Sequence, residues 1–339
     1  MNGQVKALKR VHAPHLHRDV VFGRKRSPLG AKKLHLADYL RQFTLPPSPP
    51  SADYSAAAQP SLTQIFGNDA LGDCVIAGAN HILGVETGNA GSCLVTPEAQ
   101  VVKEYSAVGG YVPGNAATDQ GCDLVTALNY YSTTGFTNGT KLLAWLAING
   151  SNVAEIQAAL FLFENLYFGM ELPDAWISPF PSGDGFVWDV AGAQDPNNGH
   201  CVMGAAYDSR GVSKLASWGL QGVLTYAAIA EYATGKTGGE LYVLLSPDQL
   251  AKGQSKAPNG VAWSDILADF NAMGGAIPLP SPAPSPVPGP TPPGTPVTLA
   301  LAQSWAAAGI ANGDALQTRA QASDAAAKGL AAGWPPETP

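Results

Sequence analysis

Asn68-Asp69-Ala70-Leu71-Gly72-Asp73-Cys74 runs directly into Val75-Ile76-Ala77-Gly78-Ala79. Turn-forming residues give way to an apolar run at Cys74, and apolar residues at 75, 76, 79, 82 and 83 recur with a helical period. The pattern predicts a buried helix with a thiol in its first turn. Unpaired N–H groups and the helix dipole both favour negative charge there, so this position suits a thiolate. Asn68, six residues upstream, supplies an amide that can donate to an oxyanion.

Working outward, Thr96-Pro97-Glu98 is a helix start, with Thr96 as N-cap and Pro97 at the first position, and that helix is expected to run to about Ala107. A third helix is predicted over 123–134, closed by Gly135, and a fourth over 152–163, capped by Ser151 or Asn152. Strands are predicted at 142–148, 166–172, 200–207, 212–218, 222–226 and 240–245. Helices come first and strands later, an order that argues for α+β rather than alternating α/β architecture.

A thiol nucleophile also needs a base. Four of the six histidines (His12, His15, His17 and His35) lie in the first 41 residues. His81 sits seven residues along the Cys74 helix, about 10 Å up its axis, too far to take the proton. His200, in Asn198-Gly199-His200-Cys201-Val202 on a predicted strand, is the body histidine that remains, and Ser217-Trp218-Gly219 follows it.

This ordered series resembles the papain-like cysteine peptidases. That family has an amide residue, five intervening residues, then Gly-x-Cys at the start of a central helix; later come a His before an apolar strand and Asn-Ser-Trp-Gly about sixteen residues on. Here the matching positions are Asn68, Gly72-Asp73-Cys74, His200, and Ala216-Ser217-Trp218-Gly219. The resemblance covers roughly residues 60–250. It implies a helical half, with the cysteine on its central helix, packed on an antiparallel barrel-like sheet. It also implies Cys74 as nucleophile, His200 as general base and acid, and Asn68 with the Cys74 N–H as oxyanion donors.

Three positions depart from the pattern. The oxyanion Gln is the shorter Asn68, the Trp after the Cys is Val75, and the Asn that orients the base is Ala216. Ser217 is the substitute if the strand is displaced, and Asp208 if the hairpin is arranged differently. Asp73 adds a negative charge beside the thiol, which opposes its ionisation.

Composition bounds the remainder. The chain has 339 residues, 45% hydrophobic and 13% charged. No apolar run reaches the roughly 18 residues of a membrane span. The N-terminus has no apolar core after its charges, so no Sec-type signal peptide is read, and a cytoplasmic or assembly-incorporated protein is expected. Residues 1–41 hold ten Lys/Arg and two Asp, against nine Lys/Arg and twenty-four Asp/Glu in the rest. A basic arm on an acidic body suits docking on neighbouring subunits, an acidic surface or nucleic acid. The organisation read from these features is an extended arm over 1–60 and a body over 61–250. A helical extension (251–277), a Pro-rich linker with ten prolines in 278–296, and an Ala-rich tail (297–339) follow. The tail and residues 1–45 are read as the segments that contact neighbouring subunits. Four cysteines, Cys74, Cys93, Cys122 and Cys201, are too few for a disulfide scaffold, although Cys93 and Cys122 can pair in an oxidising compartment. No spacing calls for a metal or another cofactor.

Two functions are expected from this reading. The first is a thiol hydrolase cleaving peptide or amide bonds through Cys74 and His200. The second is a papain-like body with an impaired site, serving as a structural or accessory part of a larger assembly such as a virus particle. A cleft lined by Trp176, Trp188 and Trp218 that binds peptides or glycans is a third possibility.

Overall fold

A computed structural model describes residues 7–40 and 48–251. The helix predicted from Cys74 spans Cys74–Asn89, and fourteen of its sixteen residues are buried. Such a helix has no solvent face, so it needs small residues wherever neighbours press close. A Cβ on Gly78 would lie 2.9 Å from the Tyr167 ring and 3.2 Å from the Cys201 sulfur, and one on Gly88 would lie 2.8 Å from the Ala57 carbonyl oxygen. The Tyr167 hydroxyl donates to the Val75 carbonyl, tying the helix to the sheet beneath.

The other helices are Glu98–Gly109, Leu124–Thr133 and Val153–Phe163, with shorter ones at Leu36–Leu40, Gln59–Leu62, Tyr226–Tyr232 and Pro247–Ala251. Asp123 caps the second of these by accepting from the Thr126 N–H at 2.9 Å, and Asn152 caps the third by accepting from the Glu155 N–H at 3.3 Å. Thr96 does not cap the first: Pro97, extended at φ −59° and ψ 138°, holds the cap position.

A nine-stranded sheet packs against the helices. Its order is Leu34–His35, Ala144–Ala147, Glu240–Leu245, Leu166–Pro173, Gln194–Tyr207, Gly211–Ser217, Leu220–Thr225 and Val187–Trp188, with Ala52–Asp53 pairing on the far end of Gln194–Tyr207. The sheet is mostly antiparallel and open. The barrel-like closure expected from the resemblance is absent, because two-residue strands terminate the order at both edges. The architecture is α+β, with the cysteine-bearing helix laid on a mostly antiparallel sheet that carries His200 and the Ser217-Trp218-Gly219 hairpin. All four cysteines are free, Cys93 and Cys122 included. No helix among the described residues is long and apolar enough to cross a membrane.

The basic N-terminal segment departs from its reading as an extended arm. Arg10–Ala13 and Arg18–Val21 form an antiparallel hairpin. Arg24–Lys25 then pairs in parallel with Cys122–Asp123, and Leu34–His35 in parallel with Leu146–Ala147. The physical reason is an apolar run, Val20-Val21-Phe22, hidden among the charges; all three residues are buried, as is Leu36. Residues 7–40 thus pack in large part against this chain's own body. The expected linker and Ala-rich tail, and the extension beyond residue 251, lie outside the described residues.

Candidate active site

Cys74 opens its helix and is 1% exposed. The preceding residue, Asp73, has its carbonyl engaged by the Ile76 and Ala77 N–H groups, which fixes the first turn. The Asp73 carboxylate is buried, near the Asn68 amide and its own backbone N–H. Burial, reinforced by the charge of Asp119, holds this carboxyl well above the usual carboxylate range.

His200 stands on the central strand Gln194–Tyr207 and is also 1% exposed. Its Nε2 lies 3.0 Å from Ser217 Oγ, so Ser217 meets the imidazole where the family pattern has the Asn now replaced by Ala216. Its Nδ1 is buried without a hydrogen-bond partner. Trp218 stacks on the imidazole, with ring centroids 3.7 Å apart and planes 7° from parallel. Trp218 and Gly219 form the two-residue link between paired residues Ser217 and Leu220, both with positive φ (48° and 79°). That geometry suits a tight hairpin, but it is unusual for a tryptophan. The stack on His200 and the packing on Phe22 and Phe180, at 5.3 and 5.2 Å, hold the ring in place.

Asp208 accepts from Arg210 rather than from the histidine. Of the three tryptophans read as cleft candidates, Trp218 lies against His200, whereas Trp176 and Trp188 stack on each other at 4.8 Å. His81 is engaged elsewhere on the Cys74 helix, its Nδ1 lying 2.9 Å from the Ser61 carbonyl oxygen.

The N-terminal segment crosses this site. Val21 and Asn68 are joined twice: the Val21 N–H donates to the Asn68 carbonyl, and Asn68 Nδ2 donates to the Val21 carbonyl, each at 3.3 Å. Asn68 Nδ2 also donates to the Leu71 carbonyl at 3.0 Å. Phe22 presents its edge to His200 with centroids 5.9 Å apart. Gly23 follows, its carbonyl accepting from the Cys122 N–H at 3.0 Å. A side chain on Gly23 would overlap the Gly72 carbonyl, one on Gly121 would overlap the Gly23 carbonyl, and one on Gly199 would overlap the Arg24 carbonyl. Glycines on both walls thus admit a polypeptide backbone beside Cys74 and His200. The sequence signal for this was the apolar run Val20–Phe22 followed by Gly23, embedded in basic residues.

Dehydration sets the charge state. Burial pushes the Cys74 thiol up to about 12, against smaller opposing effects from the backbone of Gly23 and Cys201. Burial likewise pushes His200 down to about 3. At neutral pH Cys74 is a thiol and His200 a neutral imidazole, not a thiolate and an imidazolium. Among the described residues, no group of three or more His, Cys, Asp or Glu side chains could hold a metal ion.

No protein-family model matches this chain, and no curated protein matches it. Among solved structures it is similar to xylellain, a cysteine protease from Xylella fastidiosa, at 12% identity over 71% of this chain and 99% of that chain, with a TM-score of 0.48. It is also similar to a procathepsin B from Trypanosoma congolense, at 11% identity over 65% of this chain and 85% of that one, TM-score 0.45. A third similar structure is a cysteine protease from Carica candamarcensis, at 12% identity over 58% of this chain and 98% of that one, TM-score 0.40.

Proposed function

We propose that this chain is a papain-like thiol hydrolase for peptide or amide bonds, held latent by its own residues 20–26. The observation that carries this reading is the Val21-Phe22-Gly23-Arg24 backbone, threaded between Gly72 and Gly121 on one wall and Gly199 on the other. A channel that accepts one extended backbone at a buried Cys and His accepts another once the first withdraws.

In the opened cleft the Cys74 thiol gives its proton to His200, and the sulfur attacks the substrate carbonyl carbon. A C–S bond forms while the carbonyl π pair moves to oxygen. The oxyanion is met by the Cys74 N–H and by the Asn68 amide N–H that the Val21 carbonyl now occupies. Collapse of the intermediate expels the amine, which takes the proton from His200. Water, deprotonated by His200, then releases the carboxylic acid and restores the thiol. Ser217 serves as the positioning residue behind the imidazole.

The test uses the full chain bearing Gly23→Val, which cannot close. An electrophilic epoxide probe is expected to label its Cys74, and His200→Ala in the same background to abolish that labelling. Labelling that ignores His200 counts against the hydrolase. The second reading, a structural part of a larger assembly, is favoured by the filled cleft and by Ala216 in place of the orienting Asn. It predicts no His200-dependent reactivity in either form.

A further inference from the structure

The peptide unit Leu71–Gly72, just ahead of Cys74, is gripped at both poles. Its carbonyl accepts from Asn68 Nδ2 at 3.0 Å, and its N–H donates to Asp119 Oδ1 at 3.0 Å. Asp119 is buried, and the same oxygen accepts from the Tyr105 hydroxyl at 2.6 Å. The Tyr105 oxygen in turn accepts from the Gly121 N–H at 2.7 Å. Tyr105 is wholly buried on the helix Glu98–Gly109. Burial, and then the Asp119 carboxylate, push its hydroxyl far up, so it remains a donor. One hydrogen-bonded chain thus runs from Gly121 through Tyr105, Asp119 and the Leu71–Gly72 peptide to the side chain of Asn68.

That chain ends on a group with a second use. A side-chain amide has two N–H donors. One of those on Asn68 is committed to Leu71; the other meets the Val21 carbonyl at 3.3 Å, where the opened cleft would receive an oxyanion. The carbonyl and N–H of one peptide unit are coplanar and point in opposite directions. Holding the Gly72 N–H therefore fixes the direction of the Leu71 carbonyl, and that carbonyl fixes the rotation of the Asn68 amide. Asn68 is one methylene shorter than the Gln of the resembling pattern, so its placement depends more on its backbone and less on its own torsions.

We infer that Asp119, braced by Tyr105, is a positioning residue that aims the Asn68 amide into the oxyanion site. The catalytic side of this inference rests on the hydrolase reading; the clamp itself does not.

The test compares two reactions of Cys74 in the full-length Gly23→Val/Cys93→Ser chain, which lacks the half-buried thiol. With p-nitrophenyl acetate, the sulfur takes the acetyl group through a tetrahedral oxyanion and p-nitrophenolate leaves. With iodoacetamide, a C–S bond forms as iodide leaves, and no oxyanion arises. Asp119→Ala is expected to slow acetylation about 100-fold and to leave alkylation within about threefold, with Asp119→Asn, which keeps an acceptor, restoring most of the loss. On an Asn68→Ala background Asp119→Ala should cost nothing further, because the two act as one unit. Tyr105→Phe is measured in parallel in case the alanine variant misfolds, and the same split at smaller size is expected. Equal slowing of both reactions, or losses that add on the Asn68→Ala background, overturn the positioning role. The clamp is also read without chemistry: Asp119→Ala should speed hydrogen exchange of the Asn68 side-chain amide roughly tenfold by NMR, and unchanged exchange overturns it. The hydrolase fails separately, since acetylation that ignores His200→Ala removes the enzyme while faster Asn68 exchange keeps the clamp.

Discussion

Gly23→Val separates the closed cleft from the open one. The Cβ it adds would overlap the oxygen, carbon and Cα of Gly72. All three are backbone atoms at the start of a buried helix, so no rotamer change makes room. The cost therefore meets or exceeds the roughly 1–3 kcal/mol of ordinary overpacking, and it acts only on the closed form. Opening rehydrates Cys74, whose thiol burial pushes from an ordinary 9.0 up to about 12. Full relaxation over those three pH units raises the thiolate fraction at pH 7.5 roughly a thousandfold, which sets the ceiling on the gain in reactivity. The assay is iodoacetamide labelling followed by peptide mapping. Half-buried Cys93 should label equally in both proteins and calibrates the reagent. Cys201, buried against Gly78, should stay protected and so reports that the body remains folded. Labelling of Cys74 within about twofold of the unaltered chain refutes the argument that residues 22–24 control its ionisation.

Other predictions follow from the buried groups. Burial holds His81 at about 4 and His200 at about 3, both below the ordinary 6.5. Their contribution to stability is complete above pH 6.5 and is lost as pH falls through those values, so urea midpoints should drop progressively over that window. His81→Gln should flatten the slope between pH 6.5 and 4, and an unchanged slope rejects the assignment. Asp73 has the opposite sign: its raised value makes the folded state lose stability as pH rises above the unfolded carboxyl value. Asp73→Asn should therefore raise stability at pH 7 by about 1–3 kcal/mol, read from urea melts; a loss would show that the carboxylate is compensated. In the Gly23→Val background, Ser217→Ala should slow turnover about 10- to 100-fold and shift the acid limb of its pH profile, and a change in rate alone would mark Ser217 as structural.

Much of the fold is legible in the chain. Local chemistry marks its elements: Asp123 and Asn152 are recognisable caps, the apolar period after Cys74 yields the buried helix, and short, mostly apolar runs buried on both faces deliver the strands at 166–173 and 240–245 within a residue or so. The thiol at a helix start, the histidine on a strand and the Ser-Trp-Gly turn are likewise readable, because each is a short-range pattern. Ala216 was readable as a gap behind the imidazole. Whether Ser217 or Asp208 lay behind it was not, since one residue of register in a hairpin decides which side chain faces His200.

That a basic, partly apolar segment precedes an acidic body can be read directly along the chain. Composition states those charges without saying which ones meet. Folding brings Gly23 against Gly72, carries Arg24 across 216 positions to Glu240, and commits the Asn68 amide to Val21 and Leu71, none of which is visible along the chain. The physical reason is that these contacts are close backbone approaches and buried charge pairs between distant residues. Their geometry exists only after the helix and the sheet have closed into two walls with a channel of glycines between them.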